Sequence, residues 1–298
     1  MRPCPQRAHT LLCAWVEDHL DRFRPAPQGV TPRFRELKPL AELAITLAAL
    51  TGPRHRSAGS ELVPWAQRLT NHIWPVVQAL PAAWDWARIG SAPAAADLLV
   101  VFPMLEQAAG RHFAFRAHVS AALERTPASL TRSFALDMSG LGDCRSEALV
   151  ALDEAMGRCR ARPALSPLYD FTHAVFFATG FGGRTATWTP EQRDFLQGWT
   201  SDCALARLSG GYFDIGAELL AGMAWAGTGA GDAYLNGIDC LARTATKQGS
   251  IPADPRSTHP SFESRYHPTL ISLAALAEAA LPTSERHPCP PQSPMFLS

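Results

Sequence analysis

An all-α fold is predicted by three features of this 298-residue sequence. Apolar residues recur at spacings of three and four nearly throughout. No stretch longer than five residues alternates with period two, and β-branched residues are sparse. Helix starts and stops are also readable in several places. About eleven helices joined by short loops are expected, and that pattern fits an α-hairpin ring or solenoid, a toroid-like arrangement. No strict repeat supports a TPR- or HEAT-type array.

The elements follow in order. From His9 to Phe23, Leu12, Trp15, Val16, Leu20 and Phe23 share one helical face. Leu37 to Leu50 is an Ala/Leu-rich helix stopped by Thr51-Gly52-Pro53. Ser60 to Leu80 is a third helix with Trp65, Leu69 and Ile73 inward and a kink expected at Pro75. Further helices are expected at about 93–109, 111–125, 144–160, 166–179, 190–207, 212–226, 229–245 and 267–281. Thr189-Pro190-Glu191-Gln192 sets an N-cap, an N1 proline and first-turn acid in order. Gly180-Phe181-Gly182-Gly183 reads as a helix C-cap rather than a dinucleotide fingerprint. Ser139-Gly140-Leu141-Gly142 divides an N-terminal helical part, 1–140, from a C-terminal part, 141–282, the two expected as one continuous domain. The segment 283–298, rich in proline, is expected to be a flexible tail.

Composition excludes several functions. Basic and acidic residues balance at 27 each, which removes the field that nucleic-acid binders use. No apolar run is long enough to span a membrane. The seven cysteines are widely spaced without any C-x-x-C, so neither a disulfide framework nor a four-cysteine zinc site is expected. The N-terminus lacks the long apolar core of a secretory signal, and the expected compartment is the cytoplasm. All basic residues but Lys38 and Lys247 are arginine, a bias typical of GC-rich genomes such as those of actinomycetes.

Three segments break the Ala/Leu background: Tyr169 to Gly183, Gly211 to Leu220, and Phe262 to Leu270. Each opens a helix and sets a histidine or carboxylate beside an aromatic group. In a ring of α-hairpins, the inner helices point their N-termini at one mouth, so first-turn residues converge across long sequence separations. His173, Asp214 and His267 are separated by 41 and 53 residues, roughly one hairpin each. They form the expected metal set, a three-ligand site with an open position. Zinc is the first ion expected, with iron or manganese as alternatives. Glu218, one turn after Asp214, is the expected fourth ligand or general base, and Tyr169, Tyr212 and Tyr266 are candidates for acid–base help. Each position also has a plain structural reading: a core histidine at 173, and helix caps at 214 and 267.

Tyr266-His267-Pro268-Thr269-Leu270-Ile271-Ser272-Leu273 resembles the Y-H-T-x-x-x-L segment of protein prenyltransferase β subunits, where the histidine binds zinc inside an (α/α) toroid. The lanthionine cyclases share that toroid and also bind zinc. Tyr169-x-x-Thr172-His173-x-x-Phe176, followed by Gly180-x-Gly182, is similar to a motif of an actinobacterial all-helical family associated with natural-product gene clusters. The C-H-G and W-C-x-G motifs of the cyclases are absent. The resemblance therefore implies the toroid architecture more than either chemistry. The leading expectation is a metal-dependent enzyme of bacterial natural-product biosynthesis. It would catalyse a cyclisation, elimination or transfer on a peptidic or apolar substrate, a small molecule or a peptide. Two alternatives stand beside it: a non-catalytic module binding a hydrophobic metabolite or partner peptide, and a metal-free cyclase using Asp214 or Glu218 as the acid.

Overall fold

The computed structural model describes residues 5–24, 34–79, 84–92, 95–254 and 261–282. The expected tail at 283–298 lies outside the described residues, as do 25–33 and 255–260. Among the described residues there are sixteen α-helical segments and no strand.

The chain alternates between an outer and an inner layer. Outer α1 (Pro5–Asp18) leads through a 3-10 turn to inner α2 (Phe34–Leu50). A short turn, α3 (Pro53–Ser57), precedes outer α4 (Leu62–Ala79), and two more, α5 (Trp86–Gly90) and α6 (Ala95–Leu99), precede inner α7 (Val101–Ala109). Outer α8 (Arg116–Arg125) and inner α9 (Leu130–Met138) form the next hairpin, then outer α10 (Arg145–Ala161) and inner α11 (Leu165–Thr179). Two short outer helices, α12 (Pro190–Gln197) and α13 (Trp199–Ser209), lead to inner α14 (Phe213–Trp225). The last pair is outer α15 (Asp232–Gln248) and inner α16 (Tyr266–Ala280).

The inner helices close a ring in the order α2, α7, α9, α11, α14, α16 and back to α2, while α1 packs outside on α15 and α16. The N-terminal and C-terminal halves thus share one ring. Residue chemistry explains the layers. In α14 every residue from Ile215 to Trp225 is buried, and in α16 so is every residue from Pro268 to Glu278, as inner helices covered on all sides require. Outer α15 buries one stripe instead, Tyr234, Ile238, Leu241, Ala242 and Ala245, and leaves the opposite face to water.

The expected helix count of about eleven is too low. Short turns α3 and α5 and the nine-residue α9 add to it, and two expected helices are each split. Gly198 breaks the stretch after Gln197 with a non-helical backbone, and Val100 separates α6 from α7. Pro75 lies within a continuous α4. The expected N-cap at Thr189 and N1 proline hold, and the Thr189 side chain and Gln192 complete a full capping box. No helix among the described residues is long and apolar enough to cross a membrane.

The turn after α11 shapes the interior. Gly180 caps the helix in the left-handed region, and Phe181 keeps that conformation at φ 52° despite its bulk. Gly182 follows at φ 80°, and a Cβ placed there would lie 2.4 Å from Trp225 Cδ1. The buried Trp225 ring has little room to retreat. Gly182→Ala is expected to cost about 2–4 kcal/mol, from backbone strain plus overpacking, measured by urea denaturation. A loss below ~1 kcal/mol would show that the ring can shift without penalty.

Candidate metal centre

The inner helices bring their first halves to one end of the ring. Asp214 and Glu218 are one turn apart on α14, His267 starts α16, Glu42 is on α2, and Tyr169 and Thr172 are on α11. The sequence separations therefore collapse into one cluster, as parallel inner helices require.

Asp214, Glu218 and His267 each offer one ligand atom, and those atoms lie within 4.8 Å of one another. Nε2 of His267 is 3.0 Å from Asp214 Oδ1 and 3.0 Å from Glu218 Oε1. The far atom of each group is held by another residue. Glu42 Oε2 accepts from Nδ1 of His267 at 2.8 Å. The Tyr169 hydroxyl donates to Asp214 Oδ2 at 2.6 Å, and the Thr172 hydroxyl donates to Glu218 Oε2. Asp214 Oδ1 is buried and makes no hydrogen bond. Glu218 is 1% exposed, deep enough that an uncompensated carboxylate there is costly.

Charge is concentrated here. Burial alone would lower the pKa of His267, but Glu42, Asp214 and Glu218 override it and hold the imidazole well above its ordinary value. Burial likewise pushes Asp214 upward, and the charge of His267 with the Tyr169 hydroxyl more than offsets it, so the carboxyl titrates below its usual range. Burial, with the neighbouring Asp214 carboxylate, raises the Tyr169 phenol and keeps it protonated as a donor. Lys38 closes the cluster from α2, 3.5 Å from Glu42 Oε1.

The cluster forms one wall of a cavity of about 290 Å³ inside the ring. Glu42, Glu218 and His267 face it, with Ile45, Phe134, Phe176, Phe181, Trp225 and Ile271. Asp214 and Tyr169 instead line a second hollow of about 360 Å³ with Tyr212 and Asp254. The ligand atoms therefore sit on the partition between two spaces.

Of the expected site residues, the structure brings together Asp214, His267, Glu218 and Tyr169. His173 is not in the ligand group, and Glu218 takes the third position that it was expected to fill. On α11, His173 is an exposed residue that lines the cavity and packs its ring 6.0 Å from Phe177 and 6.2 Å from Phe176. The change has a rotational cause: Tyr169 and Thr172 turn toward α14, and His173, one residue on, points about 100° away around the helix. Tyr212 lies at the N-cap of α14 and lines the second hollow. Tyr266 is buried against Phe262 and Phe23, away from the cavity. The capping readings do not hold, since Asp214 accepts from Tyr169 and His267 pairs with carboxylates. Glu42 and Thr172 are the partners that the sequence reading missed. For Glu42 a signal existed, because from Leu37 to Leu50 Lys38 and Glu42 are the two charged residues, spaced i,i+4, of an Ala/Leu-rich helix.

No curated protein and no solved structure matches this chain. The profile of a family described as a domain of unknown function, DUF6895, matches residues 10–277, and the chain belongs to that family.

Proposed function

We propose that this chain is a metal-dependent enzyme whose centre is Asp214, Glu218 and His267. One observation carries the reading: the three convergent atoms are the ones left over after Tyr169, Thr172 and Glu42 have engaged the others. Metal sites are built this way, with outer partners fixing the orientation of each ligand and the carboxylate on Nδ1 raising the basicity of the imidazole. The donor set has two carboxylate oxygens and one nitrogen. That composition suits manganese or iron(II) better than the zinc expected from a two-histidine set.

Three protein ligands leave positions for substrate or water, so a bound dication would supply Lewis-acid chemistry at the cavity wall. The chain's own residues orient it. Tyr169 holds Asp214, Thr172 holds Glu218, and Glu42 holds His267 in one rotamer. His173, free of the ligand group and facing the same cavity, is placed to move a proton to or from a bound substrate. Cyclisation, elimination and group transfer are the reaction classes that such a pairing serves.

Equilibrium dialysis of the purified protein against manganese and against zinc tests the reading, with near-stoichiometric binding expected. Glu42→Gln, which keeps the side-chain shape and loses the carboxylate charge, is expected to weaken binding by about 10–100-fold. Wild type that takes up neither ion would sink the proposal.

A second reading has its own observation. Nε2 of His267 lies 3.0 Å from both Asp214 and Glu218, the arrangement that an imidazolium adopts between two carboxylates. In that form the cluster is a metal-free acid–base centre whose proton donor is the His267 imidazolium, with the Asp214 and Glu218 carboxylates as its counter-charges rather than as the acids expected from the sequence. Activity that survives exhaustive chelation but is lost in Asp214→Asn would favour it.

A further inference from the structure

We infer that the substrate is an uncharged, ring-bearing apolar molecule with one terminal oxygen group that meets the metal, rather than a peptide or a sugar. The inference rests on the metal-centre reading above and adds the occupant of the cavity beside it. Its warrant is the division of chemistry along the cavity wall. Apart from Glu42, Glu218 and His267, the charged lining residues are Lys38 and Asp97, and with His173 they are exposed and belong to the rim. Below the cluster the wall is Phe134, Phe176, Phe181, Trp225, Ile271 and Ala274.

That deep wall has little hydrogen-bonding capacity to spare. The Trp225 indole N–H is donated to Glu278 at 3.2 Å and the Thr46 hydroxyl back to the Glu42 carbonyl at 3.0 Å, which leaves the half-buried Thr131 hydroxyl as the remaining side-chain group. A peptide or sugar in the chamber would leave buried amides or hydroxyls without partners, and an anionic tail turned away from Lys38 and His267 would meet no cation. An aromatic or alicyclic body loses nothing there, and it gains edge and face contacts with the rings. At about 290 Å³ the chamber is at the small end of ligand pockets, so one or two rings fill it.

The floor supplies an independent observation. Phe181 is the non-glycine residue held at positive φ among the described residues, and it sits in this wall. Trp225 packs edge-on against it at 5.4 Å and closes over Gly182, where only hydrogen fits. Strain of this kind persists where the surroundings over-determine it, and here it presents a ring to the chamber.

Hydroxamates test the inference, because they supply metal-binding oxygens on a tail of choice. Manganese affinity is measured first by calorimetry, and acetohydroxamate is then compared with phenylacetohydroxamate on the manganese-loaded protein. The phenyl compound is expected to bind about tenfold tighter or better. Ala274→Leu and Ile45→Phe fill the chamber from two helices. In folded protein each should abolish that preference while leaving manganese and acetohydroxamate affinity unchanged. Equal affinity of the two hydroxamates in wild type would overturn the inference and leave the metal centre standing, as would a preference that survives both variants. If manganese itself does not bind, the metal reading fails. The chamber is then tested alone with the neutral probe N-phenylnaphthylamine. A fluorescence rise that both filling variants abolish supports the apolar occupant, and no rise overturns it.

Discussion

Alanine at Asp214, Glu218 or His267 is expected to weaken manganese binding by more than about 100-fold, beyond what loss of an outer partner costs, whereas His173→Ala should leave it unchanged. Each of the three contributes one of the atoms that converge within 4.8 Å, so removing any leaves two donors and an incomplete centre. His173 contributes none, although its sequence context marks it as strongly as the others. Calorimetry with manganese on the four variants, with metal content by plasma mass spectrometry and helicity by circular dichroism, separates lost ligation from lost fold. Glu218→Ala also removes one of the two acceptors of the buried Thr172 hydroxyl, leaving it the Tyr169 carbonyl at 3.1 Å, and some loss of stability should accompany it. Retained affinity in a folded Glu218→Ala protein, with loss in His173→Ala, would restore the two-histidine set and remove the assignment made here.

Glu278→Ala is expected to destabilise the protein by about 3–5 kcal/mol near neutral pH, because it breaks a buried charged network rather than a surface pair. At the C-terminal end of α16, Glu278 is 2% exposed and His55 is 1% exposed, 3.2 Å apart. Arg54 lies 3.3 Å from the same carboxylate, and Trp225 donates to it at 3.2 Å. The carboxylate therefore ties α3, α14 and α16 together beneath the chamber floor. Burial acts to raise its pKa, but the hydrogen bond from His55 and the charge of Arg54 prevail and hold it below the ordinary value. A depressed folded value means that the contribution is complete above the unfolded value of about 4.3 and is lost as pH falls through the folded one. The stability gap between wild type and Glu278→Gln in chemical denaturation should therefore shrink as pH is lowered from neutral to below the unfolded value of about 4.3. A gap that stays constant would show that folding does not depress this carboxyl, and one that moves the other way would show a carboxyl protonated in the fold.

Much of the architecture was legible because helix periodicity is a local signal. The faces of α1, α4 and α15 can be counted from residue spacing, and the Thr189 capping box can be read from four letters. The α9 helix was not legible, since nine residues with Thr131, Arg132 and Ser133 in the first turn carry no convincing apolar repeat. It nonetheless supplies Phe134, a wall of the chamber. The split at Gly198 was equally hidden, because periodicity continues on both sides of a single backbone irregularity.

The sequence by itself determined that the chain is helical and that three of its helices open with polar residues beside aromatic ones, and it placed His173, Asp214, His267 and Glu218 in one neighbourhood. Those conclusions need only the repeat of a helix and the common direction of one layer in a ring. Tertiary structure alone decided which polar residue turns toward which. Neighbouring positions on a helix differ by about 100°, so Thr172 meets Glu218 while His173 faces the cavity, and no spacing rule within one segment reveals where the opposing helix lies. Glu42 joins from α2, 225 residues from His267, because only closure of the ring sets α2 beside α16.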